Sequence, residues 1–398
     1  MSGPNTHPEI PSPSPGASSD HLFANNVRFV SMAAIIGIHT IALICPMLGW
    51  TQHTALEFAL VQPLKFGSIC FFLISGFLLG ERIHRYRPHV YFARRLRSVF
   101  VPWAFWLSCY CGLRLIHGFG AGRLTLHTAG ILSYGSGILS SSLFETAYWF
   151  VPNLLLALAI LLIFRRLLMD WRIGCVFLTG SLFYAVNVYA RWVHVEHTRA
   201  VFGFIFYLWL GAWGSWHFVT VEKWVSRIPA TAMAALVLVT GLAALGEAGL
   251  LQKLGSSDPL NTLRLTNQVF SVMVGVSFLK ARRALWPHFI NVRAQTFGLY
   301  LAHTPVLAVL GMLALRFPGN FGGAILKDTV AGSLLLIMAT FTVTYGGCLL
   351  LVRFLVSIPC LHWIVGGTSD GKPAIPGVRL PEPRRVKGSL PSSAPRPA

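Results

Sequence analysis

Residues 27–50 read VRFVSMAAIIGIHTIALICPMLGW. This apolar run is too long for the core of a cleaved signal peptide, and it is long enough to cross ~30 Å of hydrocarbon as one helix. Ahead of it, residues 1–24 hold no Lys or Arg and carry Pro4, Pro8, Pro11, Pro13 and Pro15. That composition reads as a disordered tail. Further runs of spanning length lie near 60–80, 98–117, 149–165, 172–190, 200–217, 228–251, 266–280, 295–316 and 329–357. The expected fold is all-α: a polytopic integral membrane protein with about ten transmembrane helices in residues 25–357. Residues 358–398, rich in Pro, Gly and Arg, read as a second tail.

Composition agrees with this reading. Of 398 residues, 54% are hydrophobic and only 11% charged, less than half the ~25% of a soluble domain. That excludes a soluble enzyme, a disordered chain and a secreted disulfide scaffold. The net charge of +19 is orienting charge on loops rather than a nucleic-acid surface. With the N-terminus inside, 22 Lys and Arg fall on cytoplasmic segments and eight on the opposite loops, so both termini are expected in the cytoplasm. The longest opposite loop, 118–148, is rich in Gly, Ser and Thr and placed to cover a groove. The seven cysteines form no C-x-x-C pair and read as small apolar packing residues. His194, Glu196 and His197 are metal-ligand types, but no fourth ligand accompanies them, so no metal is expected.

Ionisable groups inside a span are expensive and are functional candidates by default. Arg28 and His39 are eleven residues apart, about 20° short of or past full turns, so they share a helix face roughly 16 Å apart along the axis. A cation at the headgroup level and an imidazole near the bilayer centre suit an anionic, elongated donor whose reactive end reaches inward. Imidazole is also the usual general base near neutral pH. The second span ends in Phe71-Phe72-Leu73-Ile74-Ser75-Gly76-Phe77 and leads into a loop of six arginines, 81–97. Arginine's planar fork matches phosphate oxygens, and Arg94 with Arg97 share a face if helical. In the ninth span Tyr300 and His303 are i, i+3 neighbours, with Pro305 just beyond.

Together these features resemble the acyltransferase-3 family of integral-membrane acyltransferases, which modify bacterial surface glycans. The Arg28-to-His39 spacing is similar to the family's first-helix signature. The Phe-Phe-x-x-Ser-Gly-Phe stretch, the Arg94-x-x-Arg97 loop, Trp149-Phe150 and Tyr300-x-x-His303 follow in order. Pro102, five residues beyond Arg97, resembles the fucose O-acetylase-like branch. The resemblance implies a multi-pass protein of the bacterial inner membrane that takes an acyl group, acetyl foremost, from cytoplasmic acyl-CoA. The acceptor would be a hydroxyl of a surface glycan or lipid-linked sugar. Carried over, Arg28, Arg94 and Arg97 would contact the CoA phosphates, and His39 would activate the hydroxyl or accept the acyl group, with His303 as a second catalytic candidate. Two rival readings are a transporter or flippase for an anionic glycan, and a structural subunit of an export complex.

Overall fold

The computed structural model describes residues 17–47, 55–83, 87–120, 128–316 and 329–366. No strand occurs among them. Helix α1 (Ala17–Met47) is followed by the short α2 (Ala55–Val61), which runs through a 3₁₀ turn into α3 (Gly67–Gly80). Next, α4 (Pro88–Arg95) continues through a π turn, Leu96–Phe100, into α5 (Val101–Gly120). Then come α6 (Thr128–Phe144), α7 (Phe150–Ile163), α8 (Trp171–Ala190), α9 (Ile205–Trp216) and α10 (Phe218–Arg227). The chain ends with α11 (Ala230–Lys253), α12 (Leu265–Ser277), α13 (Val292–Arg316) and α14 (Val330–Ser357).

The all-α membrane architecture is as expected, but the count of ten spans is not reached. Among the described residues, seven helical stretches are long and apolar enough to cross a membrane. An eighth crossing arises if Ser133–Phe144 and Ala147–Ile163, bent by 72°, are one broken span. The shortfall lies at α7, α9 and α12, with 14, 12 and 13 residues. At 1.5 Å per residue these rise only ~18–21 Å. The apolar runs at α7 and α12 are themselves short, and the first residues of the α9 run, 200–204, are irregular backbone.

Three boundaries also differ from the sequence reading. The Gly/Ser/Thr-rich segment 118–148 is largely helical, as α6. Residues 17–24 already belong to α1, while residues 1–16 lie outside the described residues. Beyond α14, Pro359–Val365 forms a 3₁₀ segment with Ile364 and Val365 buried, and Trp106 Nε1 donates to the Ile364 carbonyl at 2.9 Å. Packing against the helices thus continues to Val365. The arginines of the second tail, from Arg379 on, fall outside the described residues.

Helix α1 sits centrally, packed on α3, α13 and α14. The closest helix pair is α3 with α9, and glycine makes it possible. A Cβ on Gly76 would lie 1.9 Å from the Leu208 carbonyl oxygen, and one on Gly211 would lie 1.9 Å from that of Leu73. Without a hydrophobic driving force between helices in lipid, such small-residue contacts let backbones approach and dispersion hold them. The Ser75-Gly76 pair is therefore a packing feature as well as a motif. Gly76→Ala and Gly211→Ala are expected to lose most folded, monodisperse protein in mild detergent, because neither backbone can yield. Gly346→Ala, where a Cβ meets nothing within 4 Å, should behave as wild type by size-exclusion chromatography.

Candidate active site

Arg28 and His39 line one cavity of about 400 Å³. Its walls come from α1, α3, the α4–α5 junction, the start of α7 and α13. Helix α13 lies beside α1 and repeats its pattern: Arg293 lines the cavity with Arg28, and ten residues further along His303 meets His39, the rings 5.3 Å apart. Arginine and histidine levels on the two helices therefore match. Arg28 Nη1 donates to Asn25 Oδ1 at 3.3 Å. Arg95 completes the arginine end, its Nε donating to the Tyr91 hydroxyl at 3.3 Å. Gly366 and Ser98 line the cavity there too, so the described chain begins and ends near the same end of the bundle.

Arg94 and Arg97 are not among the lining residues. Arg94 is half-buried and Arg97 exposed. The π turn at Leu96–Phe100 breaks the α-helical register that would set those two arginines on one face. Pro102 supplies a local reason, since it has no N–H for the Ser98 carbonyl.

His303 is fully buried, and its Nδ1 lies 2.5 Å from the Tyr300 carbonyl oxygen. A carbonyl only accepts, so Nδ1 carries the proton and Nε2 is left as an acceptor. Among the described residues Nε2 has no hydrogen-bond partner. His39 lines the cavity directly, whereas His303 backs it. Pro305 removes the donor that would bond the Leu301 carbonyl, and the Tyr148 hydroxyl fills that place at 3.2 Å. Tyr300 in turn donates from its hydroxyl to the Ala147 carbonyl at 2.5 Å. The Tyr-x-x-His motif thereby fastens α13 to the entry of α7.

These contacts also fix the depth of the irregular segments. Ala147 lies against Tyr300, one turn from the His303–His39 pair. Trp149 meets His197 with ring centroids 5.3 Å apart. The segments before α7, α9 and α12 thus converge near the histidine level, where Glu145, Thr146, His197, Thr198 and Thr262 close the cavity's other end. Irregular backbone at bilayer depth survives only when protein satisfies it, and here side chains do. Asn153 donates to the Thr198 carbonyl at 3.2 Å, and Asn261 to the Val195 carbonyl at 2.7 Å. Arg264, wholly buried, donates to the carbonyls of Asn261 at 3.0 Å and Ala244 at 2.7 Å, and to Gln62 Oε1. His197 pairs with Asp258 at 3.2 Å. No group of three or more metal-ligand side chains gathers among the described residues.

Sequence reasoning did not single out Arg95, Arg293, Lys65, Glu145 or His197 as lining residues. A signal was available for Arg293: its spacing to His303 nearly repeats that of Arg28 to His39. The others depend on which way loops fold.

A helical membrane domain with paired arginine and histidine levels along one cavity agrees with a comparison at the sequence level. A family model described as Acyltransferase domain matches residues 21–353. The chain belongs to the acyltransferase-3 family, and its class is that of membrane acyltransferases. No curated protein and no solved structure matches it.

Replacing Tyr300 by Phe removes one hydrogen bond, while the Ala147 carbonyl keeps the Phe150 N–H. Such a loss costs about 0.5–1.5 kcal/mol. Tyr300→Phe is expected to lower the denaturation midpoint in detergent accordingly. An unchanged midpoint would show that this contact does not fasten α13 to α7.

Proposed function

We propose that this protein is an O-acyltransferase of the bacterial inner membrane. It moves an acyl group, acetyl foremost, from cytoplasmic acyl-CoA to a hydroxyl of a surface or exported glycan, free or lipid-linked. The observation that carries the reading is the single cavity joining an arginine cluster to a histidine. Arg28 and His39 stand roughly 16 Å apart along α1, a separation that suits a donor with phosphates at one end and a thioester at the end of an extended arm.

The chemistry follows from the residues. Guanidinium groups at Arg28, Arg95 and Arg293 bind phosphate oxygens as charge-assisted, forked donors. Arg94 and Arg97, on the same short segment, add to the positive field at the mouth. A sugar hydroxyl is a poor nucleophile near neutral pH, so direct transfer to it requires a base within hydrogen-bond reach. His39 is the imidazole that lines the cavity on the helix face shared with Arg28. His303 supports it from behind. The reaction drawn in this way requires no metal. The six-arginine loop and the arginine mouth also suit both termini lying in the cytoplasm.

The arginine assignment is tested by acetyl-CoA binding to purified protein in lipid nanodiscs. Losing a charge-assisted hydrogen bond costs ~1.5–3 kcal/mol, or about ten- to hundredfold in affinity. Arg28→Lys, Arg95→Lys and Arg293→Lys are each expected to show that loss, and Arg97→Lys a smaller one. His39→Ala should bind the donor normally and lose ~10²–10⁴-fold in acyl transfer. A His39→Ala protein that acylates glycan at the wild-type rate would end the general-base reading.

Orientation has its own test. A reporter fused at the C-terminus should read cytoplasmic, and one inserted after Thr125 should read extracytoplasmic. The opposite pair of readings would move the donor site to the wrong side of the membrane.

A further inference from the structure

Lys65 lies in the stretch Ala55–Gly80 that crosses the membrane, and it lines the cavity together with His39. Its depth is set by its neighbours. Leu64 Cδ1 is 3.0 Å from a Cβ placed on Gly37, and Gly67 packs on Ser31, Ala34 and Ile35. Helices α1 and α3 thus run past each other with Lys65 level with His39. Among the described residues, no hydrogen bond or ion pair engages its ammonium group. Asp258, which attracts it from beyond ion-pair range, is already held by His197 and by Asn261. Arg264 adds a repulsive charge.

An ammonium group at this depth with no bound anion is expensive to hold. The arginines at the mouth account for the phosphates of the donor, but none of them lies at the level of His39. A cation there faces the place where negative charge develops during acyl transfer.

We propose that Lys65 is a catalytic residue that stabilises the oxyanion of the tetrahedral intermediate. The assignment rests on the acyl-transfer reading above. In the step it serves, the acceptor hydroxyl oxygen forms a bond to the thioester carbonyl carbon while its proton passes to His39. The carbonyl electron pair moves onto oxygen, beside the Lys65 ammonium group. Collapse of the intermediate breaks the C–S bond, and CoA leaves as the thiol, taking the proton from His39. No further reactant is needed. A preorganised cation in a water-poor site acts on the transition state far more than on the neutral thioester, so its effect falls on kcat.

The test uses native membranes of a strain that lacks the chain, supplied with wild-type or variant protein and radiolabelled acetyl-CoA, with label counted in the glycan fraction. Acetyl-CoA affinity is measured in parallel on the same purified proteins. Lys65→Met is expected to lower kcat about 10²–10³-fold, with KM and affinity for acetyl-CoA within about twofold of wild type. Lys65→Arg, which keeps a cation, should retain substantially more activity. Retained donor affinity shows that the variants are folded, and if Lys65→Met fails that check, Lys65→Gln takes its place.

Turnover by Lys65→Met within threefold of wild type overturns the assignment. So does a loss confined to a raised KM for the glycan, which would make Lys65 a ligand for an acidic acceptor. In both cases His39-dependent transfer by wild type leaves the acyltransferase reading standing. Wild-type membranes that incorporate no label in a His39-dependent manner bring down that reading, and the role of Lys65 with it.

Discussion

Backbone polar groups at bilayer depth must be satisfied by protein, and much of this structure follows from how three irregular segments meet that demand. A fully helical span satisfies itself. The segments before α7, α9 and α12 do not, because they give up helical hydrogen bonds where water is scarce. Asn153, Asn261 and Arg264 supply the missing donors. Arg264 in turn has its guanidinium hydrogens taken up by carbonyl oxygens and the Gln62 side chain, with Glu247 and Asp258 as the nearby countercharges. A short helix follows each of these segments, and the chain ahead of it helps to wall the cavity.

Proline does related work on the helices that remain long. At Pro305 a carbonyl is released and then taken by a tyrosine hydroxyl from another element. Near Pro102 the helix widens into a π turn. Both prolines stand next to residues of the site, and both convert a lost intrahelical bond into a change in what the adjacent side chains face. The Arg94–Arg97 spacing therefore says less about the site than the neighbouring Arg95 does.

This explains which features were legible in the sequence. Apolar run length revealed the helical membrane class. The Arg28–His39 register could be read because it lies on one uninterrupted α-helix, where angle and rise are fixed by geometry. Wherever the argument left a single helix, legibility fell. The spans at α7, α9 and α12 were counted by hydropathy, which does not show where a helix starts or stops. Nothing in the sequence around Lys65 marks it as part of a site. Its place beside His39 depends on glycine contacts between α1 and α3. Arg264 is a buried structural cation, which hydropathy and charge counting do not reveal.

The pairing of α1 with α13 carries the last step. Two neighbouring helices each present an arginine at one level and a histidine at the next, yet the histidines are not equivalent. His39 lines the cavity, whereas His303 is sealed behind it with Nδ1 committed to a carbonyl. Rings 5.3 Å apart in so dry a setting cannot both carry charge without strong repulsion. Protonation of one therefore disfavours protonation of the other. His303, with Nδ1 donating to a carbonyl, is the neutral member of the pair, so on the proposed reading the proton taken up in transfer resides on His39. Lys65 bears on the other charge of the step, the oxyanion, whose negative charge it offsets while the proton rests on His39. Cation and base thus serve the two charges that form together, one on oxygen and one on imidazole.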